Sequence, residues 1–520
     1  MRERYLFALL GLLTAFLLTR TFVAQPAYTD AFYHFNAANR LVSGQGLTDP
    51  YLWTYIGAPD SLPAPSHLYW MPLTSVIAAL GMSVLNMPGN YAAAQWPFAL
   101  MLAATAGAGY WLGGRIGDSR RHAWLAGLLT LFSGFYTRFW GATDTFAPYA
   151  LLGSLCLVFL GLGACSPPQA QRRVWWFALA GAMAGLGHLT RADGLLLLLV
   201  GGAVILWPSR GHFLLPRDRI HALVAISCAY VLVMTPWFIR NLNATGSPLP
   251  VGGAQAIWFD EYDDLFNYPP DASPNTLLAN GAALSSRWEA FTNNLGTFVA
   301  VEGLIVMTPL MLVGLWRRRR DGFLRGFWLY ALGLHLAMTL VFPYPGYRGG
   351  LFHSASALVP WWSALGVVGL DDAVDWAARR RRHWNAHVAK AIFSIALVAI
   401  AVFLSLSTAL RNGVPIGTPD LYRTLAAQLP ANARVMINDP AQLYYFTGLG
   451  GVVLPNEFPD TILDIARKYG VDYLLLEGIT DDGRAAQAPQ ELWSILTSPP
   501  DFLTHLPLDV PGARLYEIHR

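Results

Sequence analysis

The chain has 520 residues, of which 54% are hydrophobic and 13% charged, with a net charge of +3 and a mean hydropathy of +0.38. Soluble domains carry about 25% charged residues, and apolar runs of near-bilayer length recur here, so a soluble globular protein is excluded. Cys156, Cys165 and Cys228 sit in or beside apolar runs with neither disulfide nor zinc spacing, and no nucleic-acid partner is expected.

MRER followed by an apolar run resembles a signal peptide but shows no small-residue cleavage site, so it reads as a retained first helix. Runs at roughly 5–24, 91–112, 122–141, 147–165, 173–189, 194–208, 220–239, 293–316, 323–342, 351–370 and 388–410 read as crossings. The run at 71–87 is ambiguous. If it lies on the surface, every basic cluster falls on one side, from Arg2 and Arg4 through Arg115, Arg120, Arg121, Arg172, Arg173, Arg210, Arg217 and Arg219 to Arg317–Arg320 and Arg379–Arg382. Positive-inside bias therefore favours about eleven or more crossings, with juxtamembrane helices and the basic clusters in the cytoplasm. Segments 25–90, 143–148, 190–194, 240–292 and 343–350 and the C-terminal tail then share the external face.

The first external loop opens with a helical pattern. Thr29 is the expected N-cap, Asp30 lies in the first turn, and Phe32, Phe35, Ala38 and Val42 follow at helical spacing until Gly44 and Gly46. An amphipathic helix on the membrane surface results, with Asp30 as a candidate catalytic carboxylate. His67, Tyr69 and Trp70 belong to the same surface unit and are expected near it. Asp144 ends a crossing in WGATDTFAPYALL; facing lipid it would cost about 2.5–3.5 kcal/mol, so it caps a helix or faces a cavity.

In LTRADG, Arg191 either pairs with Asp193 or holds a lipid phosphate. Arg240 runs against the charge bias on the external side. The loop 240–292 carries Asp260, Glu261, Asp263 and Asp264, a solvated acidic face without metal-ligand spacing. Arg348 among glycines and His353 in the following turn would form a phosphate site, the alternative for His353 being a helix-end histidine bonded to the backbone. Beyond Arg411 the pattern changes. ARVMIND, GVVLP, VDYLLLEG and ARLYEIH read as strands and 418–428, 459–469 and 489–497 as helices, a small α/β domain at 411–520 with Asp439 at a strand end.

These features resemble the GT-C glycosyltransferases, specifically the family of dolichyl-phosphate-mannose protein mannosyltransferases and aminoarabinose transferases. TDAFYHFNAANRLVSGQG, HLYWMPLTS, ATDTFAPYALL, LTRADG, TPWFIRNLNATGSPLP and YRGGLFHSASALVP carry the resemblance, across roughly 25–365. It implies a polytopic transferase domain at 1–410 in the inner (plasma) membrane, with the active site and C-terminal domain extracytoplasmic. Its partners are the lipid bilayer, a polyprenyl-phosphate-sugar donor and an external acceptor. Asp30 and Asp144 are the expected catalytic carboxylates, and Tyr33, His34, His67, Trp70, Arg191, Arg240, Arg348 and His353 the expected substrate contacts. Relatives often carry Asp-Glu where this chain has Asp30-Ala31, which counts against protein mannosylation. Oligosaccharyltransferases carry Trp-Trp-Asp and use a metal; here Trp361 and Trp362 precede Ser363. A transferase requiring no cofactor therefore ranks first, ahead of a metal-dependent oligosaccharyltransferase-like enzyme and a lipid-linked sugar flippase.

Overall fold

A computed structural model describes residues 2–57, 59–167, 171–207, 216–250, 252, 255, 258–259, 262–270, 283–381, 384–411, 416–481 and 484–520. Asp260, Glu261, Arg210 and Arg382 lie outside the described residues. In hydrocarbon every backbone N–H and C=O must be paired within its own segment, so the apolar runs fold as helices. These are α1 (Arg2–Phe22), α4 (Tyr91–Gly117), α5 (Arg120–Leu131), α6 (Phe146–Cys165), α7 (Gln171–Thr190), α8 (Leu195–Leu206) and α9 (Pro216–Thr245). Beyond the long loop come α10 (Ala283–Thr297), α11 (Thr308–Arg318), α12 (Arg325–Leu336), α13 (Val359–Ala378) and α14 (Ala386–Arg411). Six described segments are long and apolar enough to cross a membrane: Arg2–Phe22, Phe146–Cys165, Arg217–Thr245, Gly322–Val341, Pro343–Ala378 and Ala386–Arg411.

Glycines let these helices pack closely, as small residues do where lipid supplies no hydrophobic drive. A Cβ on Gly369 of α13 would stand 1.9 Å from the Leu310 carbonyl of α11, and one on Gly314 would stand 2.0 Å from that of Leu365.

Two expected crossings are not single helices. The run at 122–141 leaves α-helix at Phe132 and re-forms as a 3-10 turn, Gly134–Arg138. The run at 293–316 passes through a π turn, Phe298–Glu302, and breaks at 303–307, where Leu304 and Ile305 take positive φ. Glu302 explains the break: it is buried, with one oxygen 3.0 Å from His335 and the other accepting the Trp362 indole N–H at 2.8 Å. The ambiguous run forms α3 (Leu73–Val84), at twelve residues only about 18 Å long and short of the hydrocarbon thickness.

The elements outside the long apolar helices interlock. The first loop holds α2 (Thr29–Val42) and three two-residue strands, β1 (Thr48–Asp49), β2 (Tyr51–Leu52) and β3 (Ala64–Pro65). The tail forms α15 (Asp420–Gln428), β4 (Arg434–Ile437), α16 (Pro440–Thr447), β5 (Gly450–Val453), α17 (Asp460–Tyr469), β6 (Tyr473–Glu477), β7 (Leu503–Leu506) and β8 (Ala513–Ile518), close to the expected elements. Segment 489–497 is a 3-10 helix, Gln490–Leu496. The sheet order is β2-β5-β4-β6-β8-β7, so a strand from the first loop completes the C-terminal sheet, parallel to β5. The Tyr55 hydroxyl donates to the Val453 carbonyl and Arg434 to that of Leu62, fixing the same seam.

A Cβ on Gly451 would lie 1.9 Å from the Val435 carbonyl, inside the pairing of β4 with β5. Gly451→Ala is expected to cost about 1–3 kcal/mol. Because β5 also carries β2, the variant should melt earlier and expose the 25–90 loop to limited proteolysis; an equally protected loop would contradict this seam.

Candidate active site

Three segments far apart in sequence deliver one cluster. The first is the start of α2. Its N-cap is Tyr28, in extended backbone, and Thr29 is already helical, one residue earlier than the sequence suggested. The Tyr28 hydroxyl is not used as a cap but donates to Asp144 Oδ2 at 2.8 Å. Asp30 follows in the first turn, where the helix dipole favours negative charge. The second segment is the turn before α6, which holds Asp144 at 0% exposure and supplies the Thr145 backbone N–H to its Oδ1.

The third is the helical turn Leu351–Ser354, which bears His353. Its Nδ1 lies 2.8 Å from the Gly349 carbonyl and so carries a proton. Gly349 has φ 155°, a conformation an L side chain rarely adopts, so glycine is needed at that carbonyl. His353 Nε2 then stands 3.4 Å from Asp144 Oδ2 and 3.8 Å from Asp30 Oδ2, while Phe146 stacks on the ring at 4.1 Å.

Arg191 borders the cluster. Its Nε bonds Asp193 at 3.0 Å and Ser354 Oγ at 2.8 Å, and Nη2 reaches the Gly350 carbonyl at 3.5 Å. Nη1 makes no hydrogen bond among the described residues. The local Arg–Asp pair thus exists, and it aims the guanidinium, which acts electrostatically on Asp30 and Asp144.

The other expected contacts are placed differently. Tyr33 is buried and donates to Asp49 at 2.8 Å. His34 shares a helix face with Asp30, four residues on, and is fully buried with Nδ1 on Ser75 Oγ at 2.9 Å and Nε2 unpartnered. His67 turns inward, bonding Ser66 Oγ at 2.7 Å and the same Ser75 at 3.0 Å. Burial keeps both rings neutral, pushing His34 down to about 4 and His67 well below the usual imidazole range. Trp70 stacks on Trp53 at 3.7 Å, and Tyr69 is within electrostatic range of Asp30 and Arg191.

Arg240 is spent on structure: it holds the first-loop carbonyls of Leu47 and Ser66 at 3.1 and 2.9 Å and lies over the Trp237 ring. Arg348 is exposed in the turn Gly346–Gly350, on the same stretch as His353. Tyr28 and Ser354 were not singled out from sequence; a tyrosine or serine beside an apolar run carries no local signal of a partner 116 or 161 residues away.

Burial and the Asp144 charge push the Asp30 carboxyl up to about 7, against the lowering pull of His353 and Arg191. Burial acts upward on Asp144 too, but His353 and the Thr145 N–H bring it below the usual carboxylate range. Two neighbouring carboxyls therefore have separate roles: Asp144 stays ionised and Asp30 titrates near neutrality. A reaction using ionised Asp30 as base should gain rate as pH rises through about 7 and lose it below, measured as a pH–rate profile; a flat profile across that range would contradict the assignment. Tyr28→Phe, which removes a hydrogen bond to a charged group, is expected to lower the rate about tenfold, read against wild type at one pH.

The site also fits a metal. One ligand atom from each of Asp30, Asp144 and His353 lies within 4.8 Å of the others, and His353 Nε2 is buried without a hydrogen bond. Two carboxylates and an imidazole suit a divalent cation.

No known family model matches the chain, and no curated protein resembles it in sequence. Solved structures share the fold. The oligosaccharyltransferase of Archaeoglobus fulgidus, in complex with Zn and sulfate, aligns with a TM-score of 0.61 at 13% identity, over 97% of this chain and 72% of that one. ArnT from Cupriavidus metallidurans bound to undecaprenyl phosphate gives 0.56 at 14% identity, over 99% of this chain and 97% of that one. Mycobacterial arabinofuranosyltransferase AftD gives 0.52 at 16% identity, over 100% of this chain and 42% of that one. All are GT-C glycosyltransferases, and this chain has their fold.

Proposed function

We propose that the chain is a plasma-membrane glycosyltransferase that moves a sugar from a polyprenyl-phosphate donor to an acceptor on the extracytoplasmic face. One observation carries this reading: Asp30, Asp144 and His353 converge beside Arg191, at segment ends that the charge pattern assigns to the external side. Neighbours of the same fold add support, since ArnT is described bound to undecaprenyl phosphate and archaeal AglB with a dolichol-phosphate.

In this reading ionised Asp30 orients the acceptor hydroxyl and takes its proton as the oxygen attacks the anomeric carbon. The bond from that carbon to the phosphate oxygen breaks on the opposite side, so configuration inverts. The departing charge is met by Arg191, whose Nη1 makes no hydrogen bond among the described residues and whose other nitrogens are held by Asp193, Ser354 and Gly350. Asp144, gripped by Tyr28 and the Thr145 amide, keeps its charge and raises Asp30 into the working range of a base.

A second reading, metal-assisted transfer, is favoured by the Asp30–Asp144–His353 spacing. A bound divalent cation would there supply positive charge for the phosphate.

The test uses envelope glycans and lipids from a deletion strain, compared by mass spectrometry with strains carrying wild type or variants. Deletion should remove a sugar-modified product that wild type restores. Asp30→Asn should restore less than about 1% of it, the loss of a general base being worth about 10²–10⁴-fold. Arg191→Ala should weaken undecaprenyl-phosphate binding to the purified protein about 10–100-fold. Full product from Asp30→Asn would overturn the mechanism. Loss of activity on chelation, restored by added Mn²⁺ or Zn²⁺, would select the metal-assisted form.

A further inference from the structure

The helix that presents Asp30 starts without a local cap. Tyr28 is its N-cap residue but makes no side-chain bond to the first turn, leaving the orphan N–H groups of a helix start unserved from within. The Thr29 hydroxyl instead reaches 410 residues along the chain and donates to Asp439 Oδ2 at 2.6 Å. Asp439 is itself an N-cap, for α16, through Oδ1 to the Gln442 N–H at 2.9 Å. One carboxylate thus joins the starts of two helices, one in each half of the protein.

Its place in the sheet is informative. Asp439 follows the carboxyl end of β4. From β4 the chain runs through α16 to β5 on one side, then through α17 to β6 on the other. The carboxyl end of β4 is therefore the topological switch point, where open α/β sheets take their ligands. Here that crevice receives the start of α2. The contact continues along the helix: Asn36 donates to the Ala441 carbonyl at 2.8 Å and Arg40 to the Tyr444 hydroxyl at 3.2 Å, while Phe32 and Phe35 meet Tyr445 at 5.1 and 5.5 Å.

Asp30 is the residue after Thr29. Its direction is bounded on one side by the Tyr28–Asp144 bond and on the other by the Thr29–Asp439 bond. We infer that Asp439 is a positioning residue for the transfer reaction, acting through Thr29 to set where the Asp30 carboxylate stands. The C-terminal domain then belongs to the framework of the active site. This inference rests on the proposed role of Asp30.

The test needs a mild change, because Asp439→Ala also uncaps α16. Thr29→Val keeps shape and volume and removes only the donor; Thr29→Ser keeps the donor. Full-length variants are expressed in the deletion strain and scored for the envelope product per amount of folded membrane protein. Undecaprenyl-phosphate affinity is measured on the same purified proteins. Thr29→Val should lose about tenfold or more of the product, as a small misplacement of a reacting group does, with affinity for undecaprenyl phosphate unchanged. Thr29→Ser should restore it. Full product from Thr29→Val overturns the inference, as does a loss of undecaprenyl-phosphate binding in step with the loss of product, which would mark general loosening. Full product from Asp30→Asn overturns the parent reading and this one together; an inactive Asp30→Asn beside a fully active Thr29→Val overturns this one alone.

Discussion

Asp144 has no solvent contact, and a carboxylate so placed is costly unless donors surround it. Two donors reach it, the Tyr28 hydroxyl ahead of α2 and the Thr145 amide at the start of α6, and the His353 ring on the turn before α13 stands 3.4 Å away. Satisfying this one charge fixes three segments relative to each other. It brings Asp30 beside it, since Asp30 lies two residues beyond Tyr28. Burial, with the Asp144 charge added, lifts the Asp30 carboxyl to about 7, so the same constraint that builds the site bears on its chemistry.

A second layer of structure keeps that arrangement rigid. Arg191 is triangulated by Asp193, Ser354 and Gly350, which couples the end of α7 to the segment carrying His353. Arg240 pins two carbonyls of the first loop, and β2 is sewn into the C-terminal sheet. The 25–90 loop is thus clamped between the apolar helices and the C-terminal domain. Glycine contacts such as Gly369 on Leu310 let the helices beneath approach closely enough to support it.

What could be read from sequence was local. The four main tail strands emerged from short β-rich runs between turns, and α2 from the spacing of Phe32, Phe35 and Ala38. The start of α2 was misjudged by one residue because Thr29 has the side chain of a good N-cap; its hydroxyl is committed to Asp439 instead. The runs at 122–141 and 293–316 look continuous in hydropathy, yet Gly134 takes positive φ, and Glu302 accepts from Trp362 and faces His335, both on other helices. Asp30, Asp144 and His353 could each be suspected singly. Their meeting within ligand distance was invisible because no spacing relates positions 30, 144 and 353. Arg240 stood out in the sequence for its unusual charge alone; that it holds the Leu47 and Ser66 carbonyls is a demand that appears only once the loop has folded.

The central claim is that a lipid-linked phosphate is received where Arg191 meets the carboxylate pair. Electron cryomicroscopy of the full-length protein in nanodiscs with undecaprenyl phosphate tests it most directly. The account predicts phosphate density within hydrogen-bond reach of Arg191 and next to Asp30 and Asp144. Density at the opposite, arginine-rich ends of the helices, with the Arg191 pocket empty, would contradict it.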